Sequence, residues 1–180
     1  MSAARASATA IAGDTLRLGR QLIRLQGIDA PELEQQCQDK KRRAWPCSRE
    51  AHAHLAGLLS RGLVSCAIAG NDRYGPALAT CSTDLIGDVG EAMVRAGFAS
   101  NFIGWRYLLV QTEARIRKRG LWRGSFERPF AWRRRMDKAQ PGLTVGNAGG
   151  QAPYLRSKRL NLIRCGSTAA SPRRRFLSAS

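Results

Sequence analysis

The sequence predicts a small α+β domain over residues 1–136, a five-stranded β-barrel with about three packed helices, followed by a basic tail over 137–180. Three observations lead there. Short alternating stretches separated by turn residues fill the first part of the chain, as the strands of a meander do. Three longer runs each stop at a glycine, as helices do. Beyond about Asp137 the apolar periodicity ends, and a Gly-rich stretch (142–150) and a triple arginine (173–175) read as a flexible tail.

Taken in order, Thr9-Ala10-Ile11, Leu16-Arg17-Leu18 and Leu22-Ile23-Arg24-Leu25 read as three strands, with Gly13-Asp14 and Gly19-Arg20 as the turns between them. Pro31 forbids simple continuation of the last strand. Residues 34–43 read as a polar loop carrying the Lys40-Lys41-Arg42-Arg43 cluster. Ser48 is a candidate cap for a helix over 49–61, closed by Gly62. Two strands, 63–69 and 77–82, flank the turn-rich stretch 70–76. A second helix spans 88–96 and ends at Gly97; a third spans 107–119 and ends at Gly120.

Charge narrows the function. Thirty Lys+Arg against thirteen Asp+Glu give a net charge of +17. Residues 1–136 alone carry +10 and residues 137–180 carry +7, so the basic character belongs to the domain as well as the tail. Such a field attracts polyanions, and DNA or RNA is the expected partner. No stretch approaches the roughly eighteen apolar residues of a membrane-spanning helix, so no membrane partner is expected. No obligate protein partner is predicted either.

Of the five cysteines, four fall in pairs, Cys37 with Cys47 and Cys66 with Cys81, which hints at an oxidising compartment. The first residues lack the apolar run of a signal peptide, and that leaves the compartment open. Pairing Ala69 with Leu78 across the turn gives an antiparallel register that sets Cys66 opposite Cys81, within disulfide reach. Cys37 and Cys47 lie close before His52 and His54. Those histidines are spaced i,i+2 on a helix and face apart, so a loop-closing disulfide or free thiols fit better than zinc.

Two carboxylates, Asp14 and Asp29, sit at strand ends that adjacent strands can bring together. Carboxylates held close repel, and all-oxygen ligands favour a hard cation such as Ca²⁺. Arg24 lies on the strand leading to Asp29, where a planar guanidinium can grip a phosphate. Asp14-Thr15, Ile23-Arg24-Leu25, Asp29-Ala30-Pro31-Glu32, Asp72-Arg73-Tyr74-Gly75, Met93-Val94-Arg95-Ala96-Gly97 and Gly120-Leu121-Trp122 follow one another in an order that resembles the thermonuclease-like (staphylococcal nuclease-like) family. The likeness covers roughly residues 9–122. It implies an oligonucleotide-binding (OB) type barrel and Ca²⁺-dependent hydrolysis of phosphodiesters in DNA or RNA. It further implies that Asp14 and Asp29 ligate Ca²⁺ through side chains and Ala30 through its carbonyl. Glu32 is then the group that orients or deprotonates the attacking water, Arg24 the phosphate-neutralising arginine, and Arg73 and Tyr74 nucleic-acid contacts.

One position departs from that pattern. Family enzymes place a second catalytic arginine directly after Asp-Arg-Tyr-Gly, and here that residue is Pro76. Proline offers neither a guanidinium nor an N–H. Three functions therefore compete: an active nuclease, a nucleic-acid-binding module with weak catalysis, and a structural domain. The intact Asp14, Arg24, Asp29 and Glu32 favour the first over the third. Among the tryptophans, Trp122 is expected to pack rather than stack on bases, and the Arg133-Arg134-Arg135 run to strengthen binding without specificity.

Overall fold

The computed structural model describes residues 5–71 and 75–139. Along the chain run β1 (Arg5–Ala6), β2 (Ala8–Ala10), β3 (Thr15–Leu18), β4 (Gln21–Leu25), β5 (Ile28–Asp29), β6 (Cys37–Asp39), β7 (Ala44–Trp45) and helix α1 (Cys47–Leu59). There follow β8 (Val64–Asn71), β9 (Ala77–Ser82), α2 (Val89–Arg95), β10 (Ser100–Asn101), α3 (Leu108–Ile116), a 3₁₀ turn (Gly120–Arg123), β11 (Gly124–Ser125) and α4 (Pro129–Ala139).

The expected barrel is present. The main sheet has the order β1-β8-β9-β4-β3-β2, antiparallel except for the parallel pair β4–β9. Only Ser7 separates β1 from β2, so they form one kinked strand whose two halves serve opposite edges of the sheet. That kink nearly closes five strands into a barrel and removes the exposed edges an open sheet would leave. Alternation sets which side chains face in. Leu16, Ile23, Leu25, Ala79 and Cys81 turn inward, and Leu55 of α1 and Val89, Met93 and Val94 of α2 join the same core.

Several local expectations need correction. The stretch 34–43 is not simply a loop: β6 and β7 form a hairpin with β11 on its other side, over a second small core of Cys37, Trp45, Cys47 and Leu121. Ser48 does not cap α1, which starts two residues earlier after Pro46; the Ser48 hydroxyl instead donates to the Leu33 carbonyl at 2.8 Å. The expected Ala69–Leu78 pairing gives way to a bulge. Ile68 pairs with Ala79 and Gly70 with Leu78, so Ala69 is the extra residue. Cys66 nevertheless lies opposite Cys81, because the bulge sits between them and the turn. A fourth helix, α4, continues past the last expected one.

Both disulfides are formed, Cys37–Cys47 and Cys66–Cys81, with Cα separations of 5.6 and 4.1 Å. His52 Nε2 donates to the Ala10 carbonyl, 3.2 Å away, and His54 packs on Phe98, so the two rings do face apart. Among the described residues no helix is long and apolar enough to cross a membrane.

The glycines of the C-terminal motifs serve packing. Gly97 and Gly120 both have positive φ, and a Cβ on Gly97 would lie 2.3 Å from the Arg119 carbonyl oxygen. Two backbones meet there, joined by the Leu121 N–H to the Gly97 carbonyl at 2.8 Å. Asp88 caps α2 by accepting from the Glu91 N–H at 3.1 Å, and it also accepts from the Tyr107 hydroxyl.

Candidate active site

One end of the barrel gathers the acidic residues. Asp14 ends the turn from β2 to β3, and its carbonyl accepts from the Leu25 N–H on β4 at 2.8 Å. Gly13 makes this turn possible: a Cβ there would lie 2.7 Å from the Ala30 Cβ and 2.9 Å from the Ala51 Cβ. The sequence therefore places glycine where the turn must press against the Ala30 loop and α1. Thr15 pairs with Arg24 in the β3–β4 ladder, which carries the Arg24 side chain over Asp14. Asp29 lies on β5, opposite Ser100 of β10, whose hydroxyl also donates to the Asp29 carbonyl.

Glu32 is held from its own loop. Its N–H donates to the Gln35 side chain at 3.2 Å, and its carbonyl accepts from the Gln35 N–H at 2.8 Å. The buried Gln35 amide in turn donates to the Glu127 carbonyl at 2.6 Å, tying the loop to the residues that lead into α4.

Two guanidiniums interleave the carboxylates. Arg24 Nη2 donates to Asp14 Oδ2 at 2.9 Å and to Asp29 Oδ1 at 3.1 Å. Arg133 Nη1, from α4, donates to the same Asp29 Oδ1 at 3.0 Å and also to Glu32 Oε1. Asp29 Oδ2 accepts from the Phe130 N–H at 3.0 Å, in the first turn of α4. Thr15 completes the set by donating to Asp14 Oδ1 at 2.9 Å.

Charge in this cluster is poorly solvated. Asp14 and Asp29 are 6% and 1% exposed, so their carboxylates depend on these partners rather than on water. Burial pushes the Asp29 carboxyl above the usual carboxylate range, Arg133 and Arg24 oppose it, and the Asp14 charge adds to the rise. Burial likewise raises the Glu32 carboxyl, against its hydrogen bond from Arg133. Burial works against the Arg133 charge, but the bond to Glu32 and the charge of Asp29 outweigh it and hold that guanidinium above its ordinary value. Partly desolvated charges with perturbed pKa values, kept together on a rigid frame, are the usual mark of a functional centre.

The structure thus joins Asp14, Arg24, Asp29 and Glu32, with Ala30 buried between the acidic positions in sequence. Arg73 and Tyr74 lie outside the described residues. Pro76 directly precedes β9, where Ala77 pairs with Ile23 and Leu78 with Arg24, so it stands beside the Arg24 strand. Arg133 corrects the reading of the arginine run as nonspecific charge, since its side chain belongs to the acidic cluster. In sequence it sits in a run that reads as solvated charge. Two long-range contacts, to Glu32 and Asp29, 101 and 104 residues away, distinguish it from Arg134 and Arg135.

Exposed or part-buried aromatic and basic side chains lie elsewhere on the surface as well as beside Asp29, where Phe130 donates its N–H. Trp105 is 86% exposed, and Phe102 stacks at a tilt on Phe130, 5.9 Å between centroids, beneath the Arg134 guanidinium. Trp122 packs, as expected, edge-on against Phe126 with Arg115 over its face.

Fold and motif order define an OB-type barrel of the nuclease class. A profile of the staphylococcal nuclease homologue family matches residues 22–124, more than half the chain, and the protein belongs to that family. It is also similar to the succinoglycan biosynthesis protein ExoI of Rhizobium meliloti (strain 1021). The two are 31% identical over 130 residues, covering 70% of this chain and 68% of the relative.

Proposed function

We propose that this domain is a Ca²⁺-dependent nuclease that hydrolyses phosphodiester bonds of DNA or RNA with little sequence preference. The observation that carries the reading is the meeting of Asp14, Asp29 and Glu32 with Arg24 at one end of the barrel. The basic surface supports a nucleic-acid substrate. The relative's name ties it to succinoglycan biosynthesis, and that role is not carried over, because the cluster's chemistry is that of phosphate and cation binding.

The donor set suits a hard cation. Two buried carboxylates and the Ala30 carbonyl supply oxygen only, which Ca²⁺ favours, with the remaining positions open to water or phosphate oxygens. Among the described residues no three His, Cys, Asp or Glu side chains group as a metal site. A Ca²⁺ ion bound there would polarise the phosphate and lower the pKa of water. The chain's own residues do the rest. Glu32, with its carboxyl raised by burial, is suited to accept a proton from water, and Arg24 offsets charge that builds on the phosphoryl oxygens.

The domain of this reading covers residues 1–136, with 137–180 as a basic extension that strengthens binding. Two disulfides support work in an oxidising place, the periplasm or outside the cell. A second reading, a nucleic-acid-binding barrel with little hydrolysis, is favoured by Pro76 alone. The test is degradation of plasmid and single-stranded DNA with Ca²⁺ and with EGTA. Ca²⁺-dependent loss of both substrates is expected; tight binding without cleavage under either condition would select the second reading.

A further inference from the structure

We infer that Arg133 is the second phosphate-gripping arginine of this site, supplied by α4 rather than by the strand turn that carries Pro76. The inference rests on the nuclease reading for its catalytic consequence and on geometry alone for the phosphate contact.

Arg24 and Arg133 hang on one oxygen. Arg24 Nη2 and Arg133 Nη1 each lie about 3 Å from Asp29 Oδ1, so the two nitrogens are at most about 6 Å apart. Each guanidinium is anchored to carboxylates through a single nitrogen. The Nε–Nη2 edge of Arg133 makes no bond to any described residue, and that edge forms a two-bond fork with phosphate. Arg133 is about a quarter exposed, as is Arg24, at 28% and 25% of the side chain. Arg133 is therefore held through Nη1 with its Nε–Nη2 edge unbonded among the described residues, the arrangement of a preorganised donor awaiting an anion.

The placement of Arg133 is built rather than incidental. Asp29 accepts from the Phe130 N–H, Gln35 fixes the approach to α4 through Glu127, and Phe130 packs on Phe102. Three contacts from three separate stretches of chain thus set the start of α4, one turn before Arg133. Arg134 and Arg135 lack such a setting: Arg134 lies over the Phe130 ring and Arg135 pairs with Glu127 at the surface. The anionic cluster explains why a guanidinium is needed at this point, since a lysine cannot bond two carboxylates and still present a fork.

The experiment compares wild type, Arg133→Ala, Arg133→Lys, Pro76→Arg, and Arg133→Ala combined with Pro76→Arg. Arg117→Ala, at the exposed C-terminal end of α3, controls for one lost charge. Turnover of single-stranded DNA is measured with Ca²⁺. Affinity for a short phosphorylated oligonucleotide is measured by fluorescence anisotropy in EGTA at one fixed salt concentration. Arg133→Ala is expected to lower turnover at least about a hundredfold, by analogy with arginines that stabilise phosphoryl transfer. It should also weaken metal-free affinity about tenfold, as loss of a charged hydrogen bond does, well beyond Arg117→Ala. Arg133→Lys should keep the fold, by thermal melting, and recover less than a tenth of the lost turnover. Pro76→Arg should matter little in wild type yet rescue Arg133→Ala, because one position then serves for the other.

Unchanged turnover in Arg133→Lys would overturn the inference, since a point charge would then suffice. Faster cleavage or tighter Ca²⁺ binding in Arg133→Ala would also overturn it and mark Arg133 as a counterion that a metal displaces. If wild type does not cleave at all, the nuclease reading fails, and the anisotropy comparison still decides the phosphate contact.

Discussion

Replacing Asp29 with alanine perturbs the point on which the whole cluster converges. The carboxylate accepts three hydrogen bonds, from Arg24 Nη2 at 3.1 Å, Arg133 Nη1 at 3.0 Å and the Phe130 N–H at 3.0 Å. A bond to a charged group contributes about 1.5–3 kcal/mol, and all three end on the carboxylate, which sets an upper bound of about 9 kcal/mol. Two corrections reduce it. Both arginines are about a quarter exposed and regain water when released, and burial of the Asp29 charge, which raises its pKa, is itself unfavourable and is relieved. The net expectation is a loss of about 2–4 kcal/mol, at the low end of and below the roughly 3–5 kcal/mol for breaking a fully buried pair. Urea unfolding with an unchanged m-value should show the midpoint falling by about 1–2 M. Asp29→Asn, which keeps one acceptor oxygen, should lose less. Stability within about 0.5 kcal/mol of wild type in Asp29→Ala would mean that the three bonds do not organise this end of the barrel.

Gly13→Ala should destabilise by about 1–3 kcal/mol, the usual cost of overpacking, because its methyl would meet two Cβ atoms at 2.7 and 2.9 Å; a melting temperature equal to wild type would refute the close approach. Mass mapping of the oxidised protein should recover Cys37–Cys47 and Cys66–Cys81, and reducing either should lower stability by about 2–4 kcal/mol; a scrambled map would count against the β8–β9 register. Burial, and then the charge of Arg61, hold the His54 pKa below its ordinary 6.5. Its neutral form is therefore favoured in the fold, so its contribution is present above pH 6.5 and lost as pH falls from there through the lowered value. His54→Gln should flatten that part of the melting profile, and an unaltered acid-side slope would exclude the ring as its source.

Much of this architecture is legible in the sequence because local rules carry it. The strands at 8–10, 15–18 and 21–25 follow alternation and turn chemistry, and α2 follows its Asp88 cap and Gly97 stop. Asp14, Arg24, Asp29 and Glu32 are legible as a set because each lies at or beside a strand end in the N-terminal meander, where short-range pairing brings them together. What escapes is long-range. The bulge at Ala69 shifts the register without any glycine or proline at that residue to announce it. Ser48 reads as a cap from its neighbours, but a carbonyl fifteen residues earlier claims its hydroxyl. Arg133 is indistinguishable from its two arginine neighbours until α4 is docked, because its role is set by Asp29 and by Gln35 holding the chain before the helix.

The most direct measurement is single-turnover cleavage of a labelled single-stranded oligonucleotide by wild type and Glu32→Gln at saturating Ca²⁺, with binding measured alongside. Glu32 sits beside Arg133 at the rim of the cluster, so the substitution removes a proton acceptor while leaving Asp14, Arg24 and Asp29 in place. Wild type is expected to cleave in a manner that EGTA abolishes, and Glu32→Gln to cleave about 10²–10⁴ more slowly with affinity changed only a few-fold. Cleavage at the wild-type rate by Glu32→Gln would place the chemistry elsewhere on the protein and contradict the assignment of this acidic cluster as the reaction centre.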